Sequence, residues 1–288
     1  MAQTHTIPDR MKVISTNREM SQACRESVKP IGLVPTMGAL HAGHLSLVDR
    51  AGAENLTVAV SIFVNPTQFG DQDDLKKYPR DLEGDLELLR RHWVDLVYAP
   101  TVEEVYPEGF DTWVDVGPLA DKLEGRHRPG HFRGVATVVS KLFNVTRPDR
   151  AYFGQKDGQQ TVVIHKFAKD LDMEVEVVVM PTIRERDGLA MSSRNVQLSP
   201  EQRKAAPVVY QALCQAHRLW MGGERNGDTL REAVQRVLEL ESRVENIDYV
   251  SVAGMATLDE LDVVEGEAMV SAAVQMGAVR LIDNIVLE

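Results

Sequence analysis

The chain has 288 residues, enough for one large domain or two, and its 43% hydrophobic and 26% charged residues are typical of a soluble globular protein. Its net charge of −11 argues against nucleic acid as an obligate partner, although it permits a locally basic pocket. Two distant cysteines, no secretory signal pattern and no apolar run of about 18 residues predict a cytoplasmic protein without a disulfide framework or a membrane span.

The N-terminal part of the chain leads to one strand, turn and helix. Its predicted elements are a polar lead-in (1–14) ending in a short strand (11–14), a helix capped by Ser15 or Thr16 (to 28), a buried parallel strand (31–34) and a helix (45–51). The strand at 31–34 and the helix at 45–51 enclose the turn P-T-M-G-A-L-H-A-G-H at 35–44. Ligands of doubly wound α/β sheets bind at such turns, because helix N-termini present free N–H groups to anions.

Two histidines mark the start of the helix after this turn. His41 and His44 stand three residues apart, so both side chains can lie on one face and point to the same phosphate. Gly43 lacks a Cβ and is expected to let a nucleotide approach the backbone. The H-x-G-H pattern alone is short, and two ordinary surface histidines beside a turn are the alternative interpretation.

The next strand also ends in polar side chains. Residues 56–64 form a continuous run rich in valine and isoleucine, which is typical of a central parallel strand. Pro66 stops that strand, and Asn65 and Gln68 stand at its carboxyl end, where side chains are placed for ligand contact. The alternative is that Asn65 only forms the turn and Gln68 is only solvated.

The middle of the chain combines a polar stretch, further sheet elements and a basic loop. A polar stretch, a helix and a third strand are predicted at 71–80, 82–91 and 95–98. Residues 101–118 contain proline, glycine and acidic positions and are predicted to be an excursion rather than a core layer. Residues 123–134 hold three arginines and two histidines, a cationic loop that suits an anionic ligand unless it is a solvated charge cluster. An apolar helix at 135–145 is expected to pack on the sheet.

A second strand, glycine turn and helix begins at 151–153. Lys156 follows Gly154 at the strand end, beside a predicted helix N-terminus, which is a natural phosphate site. Gln160 lies one turn into that helix and is expected to face the same cleft. The strand predicted at 174–179 ends before Pro181.

A donor-rich loop, R-E-R-D-G-L-A-M-S-S-R-N, occupies 184–195. Ser192, Ser193 and Arg194 offer three hydrogen-bond donors to a polyphosphate, and the glycine predicts a mobile loop. The alternative is a helix cap, because Ser199 and Pro200 start a helix shortly afterwards.

The C-terminal third lacks the alternation of strands and helices. Its predicted elements are two helices (200–222 and 228–244) and three strands (247–252, 268–274 and 279–281). Helices followed by strands predict a small α+β domain. With a boundary within 182–188, the chain divides into a doubly wound α/β domain (1–183) and a smaller α+β domain (184–288).

Several further motifs stand in one order with the turn at 35–44. They are N-P-x-Q-F (65–69), Y-P-R (78–80), R-P-G-H-F-R-G (128–134), F-G-x-K-D-x-Q-Q (153–160) and D-G-L-A-M-S-S-R-N (187–195). H-x-G-H is similar to the signature of the nucleotidyltransferase superfamily. Together, and over nearly the whole chain, the motifs resemble those of the pantothenate synthetase (pantoate–β-alanine ligase) family.

This resemblance implies a Rossmann-like N-terminal domain with a smaller C-terminal lid domain, in a homodimer. It also implies a ligase that uses ATP and Mg²⁺ to make pantoyl adenylate and pyrophosphate, and then transfers the pantoyl group to β-alanine with release of AMP. The expected partners are pantoate, β-alanine and ATP, without nucleic acid or membrane. Mg²⁺ is expected to bind mainly through the ATP phosphates, and no residue is assigned to a metal.

The resemblance also implies site residues by position. It implies catalytic roles for six residues: His41, His44, Lys156, Ser192, Ser193 and Arg194. The same six are expected to contact ATP, together with Met37, Gly154, Asp157, Ile183 and Met191. The residues expected to contact pantoate are Pro35, Met37, Gln68 and Gln160. Asn65, Tyr78 and Arg128 are expected to line the site. Two positions depart from the family pattern: Gln155 replaces an acidic residue, and Gly158 replaces a larger side chain and is expected to loosen the helix start.

Two other classes of function stay open at this level. One is a nucleotidyltransferase that acts on a small phosphate ester, and the other is a non-catalytic nucleotide-binding module. The two glutamines and the loop around Arg128 favour a small carboxylic acid over the phosphate ester. A carboxylate needs no base to attack the α-phosphate, so adenylation calls for in-line positioning and charge neutralisation. The retained histidines, lysine and Ser-Ser-Arg supply those donors, whereas no residue is identified as the base for β-alanine.

Overall fold

In a computed structural model, which describes residues 11–288, six strands form one parallel sheet in the order β1-β4-β3-β2-β5-β6. Residues 1–10 of the predicted polar lead-in (1–14) lie outside the described residues. The strands are β1 (Lys12–Ile14), β2 (Ile31–Thr36), β3 (Thr57–Ile62), β4 (Leu96–Tyr98), β5 (Arg150–Gly154) and β6 (Glu176–Met180). This topology confirms the predicted Rossmann-like α/β fold.

Successive side chains of a strand point to opposite faces of the sheet, so apolar side chains of a buried strand stand on both faces. Helices cover both faces of this sheet. The helices are α1 (Asn17–Glu26), α2 (Ala42–Glu54), α3 (Gln72–Lys77), α4 (Leu82–Arg91), α5 (Val102–Val105), α6 (Glu124–His127), α7 (His131–Thr146) and α8 (Gly158–Asp170). Leu33 and Phe153 join a core cluster with α1, α7 and α8. Their strand neighbours Val34 and Tyr152 join the core cluster with α2 and α4 on the other face.

The C-terminal part has its own antiparallel sheet, in the order β7-β8-β9, covered by helices. Its elements are α9 (Pro200–Ala205), α10 (Val208–Met221), α11 (Gly227–Glu239), β7 (Asn246–Gly254), β8 (Ala268–Met276) and β9 (Val279–Leu287). A separate core cluster contains fully buried Leu213 of α10, Leu230 of α11 and Val270 of β8. The predicted α+β architecture is therefore confirmed. Among the described residues, no helix is long and apolar enough to cross a membrane.

Several predicted elements differ in extent from those observed. The single helix predicted at 200–222 is wrong: it is split into α9 and α10 before Val208, because Pro207 has no N–H to continue the helical hydrogen bonds. The cationic loop predicted at 123–134 is partly helical, since it contains α6 and the start of α7. The strand predicted at 279–281 extends through the whole of β9. The short helix α3 lies in the stretch 71–80 that the sequence analysis described only as polar.

The sheet order places the site. From β2 the chain continues to β3 on one side, whereas β5 pairs with β2 on the other side and leads on to β6. The switch in direction therefore falls between β2 and β5, and a crevice opens outside the carboxyl ends of strands at such a point. The turn after β2 and the turn after β5 meet at this crevice.

Candidate active site

A cleft of about 1410 Å³, counted to its open mouth, lies over the carboxyl ends of β2, β3 and β5. The structure brings every predicted site residue to its wall: Pro35, Met37, His41, His44, Asn65, Gln68, Tyr78, Arg128, Gly154, Lys156, Asp157, Gln160, Ile183, Met191, Ser192, Ser193 and Arg194. Their roles in binding and catalysis stay predictions. The wall also includes His131, Phe63 and one apolar face of α7, which the sequence analysis did not assign to the site.

The two histidines cap α2 with their own side chains. His41 is the N-cap residue, and its Nδ1 accepts a hydrogen bond from the backbone N–H of Gly43 at 3.1 Å. The Nδ1 of His44 accepts from the backbone N–H of His41 at 3.4 Å. The ring centroids lie 4.1 Å apart. Because both Nδ1 atoms are acceptors, each neutral ring carries its proton on Nε2.

Burial keeps both rings neutral near pH 7. Burial, and then the charge of His41, lower the pKa of His44 to about 3. Burial, and then the charge of Lys156, also lower the pKa of His41. Each ring therefore provides one N–H donor to an anion rather than a fixed positive charge.

Gly43 makes room for a protein side chain. A Cβ at this position would lie 2.9 Å from Cε1 of His41 and 3.8 Å from Cβ of Met191. The missing side chain lets the His41 ring fold back onto the helix start, and the expectation that Gly43 also lets a nucleotide approach the backbone stays a prediction.

The turn between β2 and α2 is held by a residue that the sequence analysis missed. The buried carboxylate of Asp85, on α4, accepts hydrogen bonds from the backbone N–H groups of Ala39 at 2.9 Å and Leu40 at 2.7 Å. Gly38 has a φ of 80°, and a Cβ there would lie 2.9 Å from Oδ2 of Asp85. In the sequence, Asp85 looks like an ordinary acidic residue in the first turn of a helix. Its contact with the turn is therefore visible only in the fold.

A buried pair of amides, Asn65 and Gln68, forms another part of the cleft wall. The side-chain oxygen of Asn65 accepts from the backbone N–H of Thr67 at 3.3 Å, and its nitrogen donates to the carbonyl of Gly134 at 3.2 Å. These backbone partners fix which end of the Asn65 amide is nitrogen, and that nitrogen also donates to Oε1 of Gln68 at 3.0 Å. The Gln68 side-chain nitrogen lies 3.2 Å from the sulfur of Met37, and both residues line the cleft. Gln68 therefore presents donors, not an acceptor, to a bound molecule.

A third part of the wall is apolar. It is formed by Phe63, Val135, Val138, Val139, Leu142 and Phe153. The valines and the leucine repeat at helical spacing along α7, so one face of this helix lines the cleft. Such a wall accepts an alkyl group but gives no compensation to a buried charge.

The turn after β5 carries Lys156 and Asp157. The Lys156 ammonium lies 3.3 Å from Oδ1 of Asp157. Burial raises the pKa of Asp157, but the charge of Lys156 and its hydrogen bond outweigh burial and leave this pKa below its usual value. Lys156 therefore brings a cation, already paired with a carboxylate, to the same cleft as the two histidines.

The two departures from the family pattern bind the C-terminal sheet. Gln155 donates to Oδ1 of Asn284 at 2.8 Å, and Asn284 donates to the backbone carbonyls of Gln155 and Lys156 at 2.8 and 2.9 Å. A Cβ on Gly158 would lie 2.5 Å from the sulfur of Met269. The expectation that Gly158 loosens the helix start is corrected, because α8 begins at Gly158 itself with helical dihedral angles and packs closely against β8.

The donor-rich loop lies over the mouth of the cleft. Ser192 caps a short 3-10 helix (Ser193–Gln197), and both serines also line the cleft. The helix that the alternative interpretation referred to, α9, is capped by Ser199 instead. Arg194 forms an ion pair with Asp74 of α3 at 2.9 Å, and the Ser193 hydroxyl donates to that of Tyr78 at 3.3 Å. The loop is therefore held against α3 and Tyr78, which follows it.

Only part of the predicted cationic loop faces the cleft. Arg128 and His131 line it, whereas Arg133 lies on the ring of Trp113 at 4.7 Å. The Nδ1–H of His131 donates to the backbone carbonyl of Gln68 at 2.8 Å, and its Nε2 accepts from Arg128 at 3.2 Å. The loop thus contributes one guanidinium that a neutral histidine holds in place.

A metal centre made only of protein side chains is not found. Among residues 11–288, no group of three or more histidine, cysteine, aspartate or glutamate side chains could hold a metal ion. The polar groups of the cleft are mainly donors, which suits an anionic ligand.

Comparisons with known proteins identify one family. The family model described as pantoate-β-alanine ligase matches residues 10–286. The pantothenate synthetase of Roseiflexus castenholzii (strain DSM 13941 / HLO8) is 57% identical over 278 residues, which cover 96% of this chain and 100% of the relative. That of Thermotoga neapolitana is 52% identical over 280 residues, again covering 96% of this chain and 100% of the relative.

Solved structures agree in fold. Pantothenate synthetase from Thermus thermophilus superposes with a TM-score of 0.91 at 48% identity, covering 96% of this chain and 99% of that chain. Pantoate-β-alanine ligase from Francisella tularensis, complexed with β-γ ATP and β-alanine, superposes with a TM-score of 0.79 at 34% identity, covering 96% and 97%.

Proposed function

The chain belongs to the pantoate–β-alanine ligase family, and from that premise we propose how its cleft divides between ATP and pantoate. The chain is an enzyme that condenses pantoate with β-alanine at the expense of ATP. The observation that carries the proposed division is the contrast between two parts of the wall of one cleft. One part has donors at two strand-to-helix turns, and the other has apolar side chains of α7 and a buried pair of amides.

ATP occupies the part with the histidines and Lys156. The Nε2–H groups of His41 and His44 donate to phosphate oxygens, and Lys156 neutralises part of their charge. Ser192, Ser193 and Arg194 hold the leaving pyrophosphate from the lid loop. Neutral histidines suit this role, because they stabilise the charge that develops on the phosphates and do not take up a proton near pH 7.

Pantoate occupies the other part. Its dimethyl group packs on the valines of α7, while Gln68 and Gln160 hydrogen-bond its hydroxyl and carboxylate groups. Because Gln68 presents its NH₂ group, it donates to a substrate oxygen. Arg128 compensates the negative charge of the acid from the neighbouring wall.

The reaction proceeds in two steps. In the first, a carboxylate oxygen of pantoate attacks the α-phosphorus of ATP, and the bond from this phosphorus to the bridging oxygen breaks as pyrophosphate leaves with the electron pair. In the second, the free amine of β-alanine attacks the acyl carbon, AMP leaves, and the amine loses a proton. The residues supply orientation and charge neutralisation for the first step.

Mg²⁺ enters with the nucleotide in this proposal. Mg²⁺ keeps several waters and binds through one or two carboxylates together with substrate phosphates. The Asp157 carboxylate, beside Lys156, fits as one contact of such an ion. When bound, the ion supplies charge neutralisation of the phosphates.

We also propose the homodimer and the two-domain division at 184–288, with the C-terminal domain as a lid. Cys24 and Cys214 are free thiols, which supports a reducing cytoplasm as the location. Sedimentation equilibrium tests the dimer: a mass near 32.1 kDa at micromolar concentration contradicts it.

ATP–pyrophosphate exchange tests the proposed chemistry. Exchange is expected with pantoate, and not with hydroxy acids that lack its dimethyl group or its hydroxyls, in a panel assayed without β-alanine. Addition of β-alanine should yield pantothenate and AMP in equal amounts. Pantoate-independent exchange, or a product that retains the nucleotide on the acid after β-alanine is added, contradicts the proposal.

A further inference from the structure

The amide pair in the pantoate part of the cleft depends on a third side chain, from outside the predicted site. The hydroxyl of Tyr106 donates to Oδ1 of Asn65 at 2.8 Å, and it lies 3.2 Å from the hydroxyl of Thr67. Asn65 is 1% exposed and Gln68 is 8% exposed, so water gives little compensation if one of these bonds is lost. Tyr106 itself follows α5, in the stretch 101–118 that was predicted to be an excursion.

That excursion is fastened to α7. Tyr106 packs edge-on against Phe110 with ring centroids 5.1 Å apart, and Trp113 stacks at 6.3 Å. From α7, the Lys141 ammonium lies 4.8 Å from the Phe110 ring centroid, and the guanidinium of Arg133 lies on Trp113. The same helix that provides the apolar wall of the cleft therefore holds the aromatic cluster that carries the Tyr106 hydroxyl.

The hydrogen bonds form a directed series. The Tyr106 hydroxyl is a donor to the Asn65 oxygen, the Asn65 nitrogen is a donor to the Gln68 oxygen, and the Gln68 nitrogen is the end that remains for a ligand. A reversed Gln68 amide would place its NH₂ group against the Asn65 NH₂ group. The Asn65 oxygen also accepts from the N–H of Thr67 at 3.3 Å and from the Thr67 hydroxyl at 2.9 Å. The tyrosine adds the shortest of these three bonds, and so strengthens the orientation of both amides that the backbone partners of Asn65 set.

We infer that Tyr106 is a positioning residue of the acid pocket, whose hydroxyl keeps the Gln68 side-chain NH₂ group turned toward the substrate oxygen through Asn65. This inference rests on the proposed pantoate role of Gln68. Tyr106 does not line the cleft, although its ring lies 6.2 Å from that of Phe63 in the cleft wall. Its hydroxyl, in contrast, is connected to the cleft through the two amides.

The test replaces Tyr106 with Phe, which removes the hydroxyl and retains the ring. Tyr152→Phe is the matched control, because the Tyr152 hydroxyl is also hydrogen-bonded, to Asn55 at 2.7 Å and Glu54 at 2.8 Å, away from the cleft. In ATP–pyrophosphate exchange, Tyr106→Phe should raise the KM for pantoate about tenfold, as expected for one lost buried hydrogen bond, and leave the KM for ATP within about twofold. The control should change neither constant.

A double-mutant cycle separates positioning from a general structural effect. In a Gln68→Ala background, Tyr106→Phe should cause no further rise in the KM for pantoate, because the group that it orients is gone. Additive losses, or equal rises in both KM values, overturn the inference. If wild-type exchange does not depend on pantoate, the proposed function itself fails. If Gln68→Ala raises the KM for pantoate but Tyr106→Phe does not, only the inference about Tyr106 fails.

Discussion

At the scale of single residues, hydrogen-bond direction decides what each side chain offers to the substrates. His41 and His44 use Nδ1 to cap α2, so their remaining ring nitrogen is a donor. His131 has the opposite tautomer, because a backbone carbonyl can only accept and a guanidinium can only donate. The residue type alone therefore does not specify the chemistry, and the local partners do.

The roles of His44 and Lys156 can be tested by separating the two half-reactions. His44→Ala and Lys156→Ala should each slow formation of pantoyl adenylate by about 10²–10³, or about 2.7–4 kcal/mol, since each removes a donor to charge that grows on the phosphates. The second half-reaction, from supplied pantoyl adenylate and β-alanine, should slow less, because no polyphosphate leaves in it. Single-turnover assays of both halves measure the difference.

The control for these variants is His217→Ala, on α10 and outside the cleft, which should leave both half-reactions unchanged. Equal losses in the two halves, or a collapse of the melting temperature, would mean that His44 and Lys156 serve the fold rather than the phosphates.

His131 makes the stability of the protein depend on pH. Burial, and then the charge of Arg128, lower its folded-state pKa to about 4, although Glu124 and Asp157 oppose this shift. Below its usual pKa of about 6.5, the unfolded chain therefore takes up a proton that the folded protein does not. The stability linked to His131 is full above that value and is lost as the pH falls toward 4.

His131→Asn should remove this dependence, since asparagine does not titrate but can still donate to the Gln68 carbonyl. Between pH 7 and 5, the free energy of unfolding should fall by about 2 kcal/mol less in the variant than in the wild type. Urea denaturation at each pH provides the comparison. Parallel curves for the two proteins would show that folding does not change the pKa of His131.

At the scale of elements, the site depends on how closely α7 approaches the 3-10 turn (Pro66–Gln68). A Cβ on Gly134 would lie 2.6 Å from the Thr67 carbonyl oxygen and 2.9 Å from the Gln68 backbone nitrogen. These neighbours are backbone atoms, so they cannot move aside as a flexible side chain would. The glycine therefore sets the distance between the apolar wall and the amide pair.

Gly134→Ala should thus be destabilising, although alanine favours helices. We expect a loss of about 1–3 kcal/mol from overpacking, together with a higher KM for pantoate. Gly52→Ala, on the exposed side of α2, is the control, where the nearest outside atom lies at 3.9 Å and the substitution should stabilise by about 0.5–1 kcal/mol. Urea denaturation and the exchange assay give both quantities, and a Gly134→Ala protein as stable as the control would contradict the close approach.

The donor-rich loop is expected to respond to ATP. Closure of residues 185–196 over the nucleotide would keep water from a hydrolysable acyl adenylate. Binding of a non-hydrolysable ATP analogue should therefore slow hydrogen exchange in this segment, while exchange in α11 should stay constant. Unchanged exchange in 185–196 at saturating analogue would contradict the proposal of a closing lid.

At the scale of the whole molecule, two buried ion pairs join the C-terminal sheet to the rest. Arg280 of β9 donates to the Glu124 carboxylate at 2.6 and 2.8 Å and to Asp248 at 2.6 Å. Burial raises the pKa of Glu124, but the hydrogen bonds and charge of Arg280 outweigh burial and lower it overall. Arg184 similarly forms two hydrogen bonds to Asp283 at 2.5 and 3.0 Å. Both buried carboxylates therefore face a guanidinium from a distant segment, and the pair of Glu124 with Arg280 joins α6 to the C-terminal sheet.

Removal of one such partner should weaken the whole structure. In Arg280→Met the Glu124 carboxylate stays buried, and the Tyr249 hydroxyl is the side-chain donor that remains to it among the described contacts. The variant should therefore lose about 3 kcal/mol of unfolding free energy. The control is Arg236→Met, the same substitution in an exposed pair with Glu232, which should cost less than about 1 kcal/mol. Urea denaturation followed by tryptophan fluorescence measures both, and similar values for the two variants would contradict a stabilising contact between the domains.

The fold class, and the side chains expected to gather at one cleft, could both be predicted from the amino-acid sequence. Continuous apolar runs at β2 and β3 and the glycine turns after β2 and β5 contain the information for a parallel sheet, because such strands are buried on both faces and ligands bind at their carboxyl ends. Local motifs also marked the side chains that line the cleft, from His41 to Arg194. These features are readable because they depend on neighbours in the chain or on a periodic pattern.

The atoms that those side chains present, and the contacts that hold them, could be seen only in the folded protein. Three examples are Asp85, Tyr106 and Arg280, whose hydrogen-bond partners Ala39 and Leu40, Asn65 and Glu124 are distant in the chain, at separations of 41 to 156 positions. No local pattern distinguishes these three residues from other acids, tyrosines and arginines. The same holds for Gly43 and Gly158, whose missing side chains make room for protein atoms. Hydrogen-bond direction and close packing arise from contacts between distant segments, so they are settled only when the chain has folded.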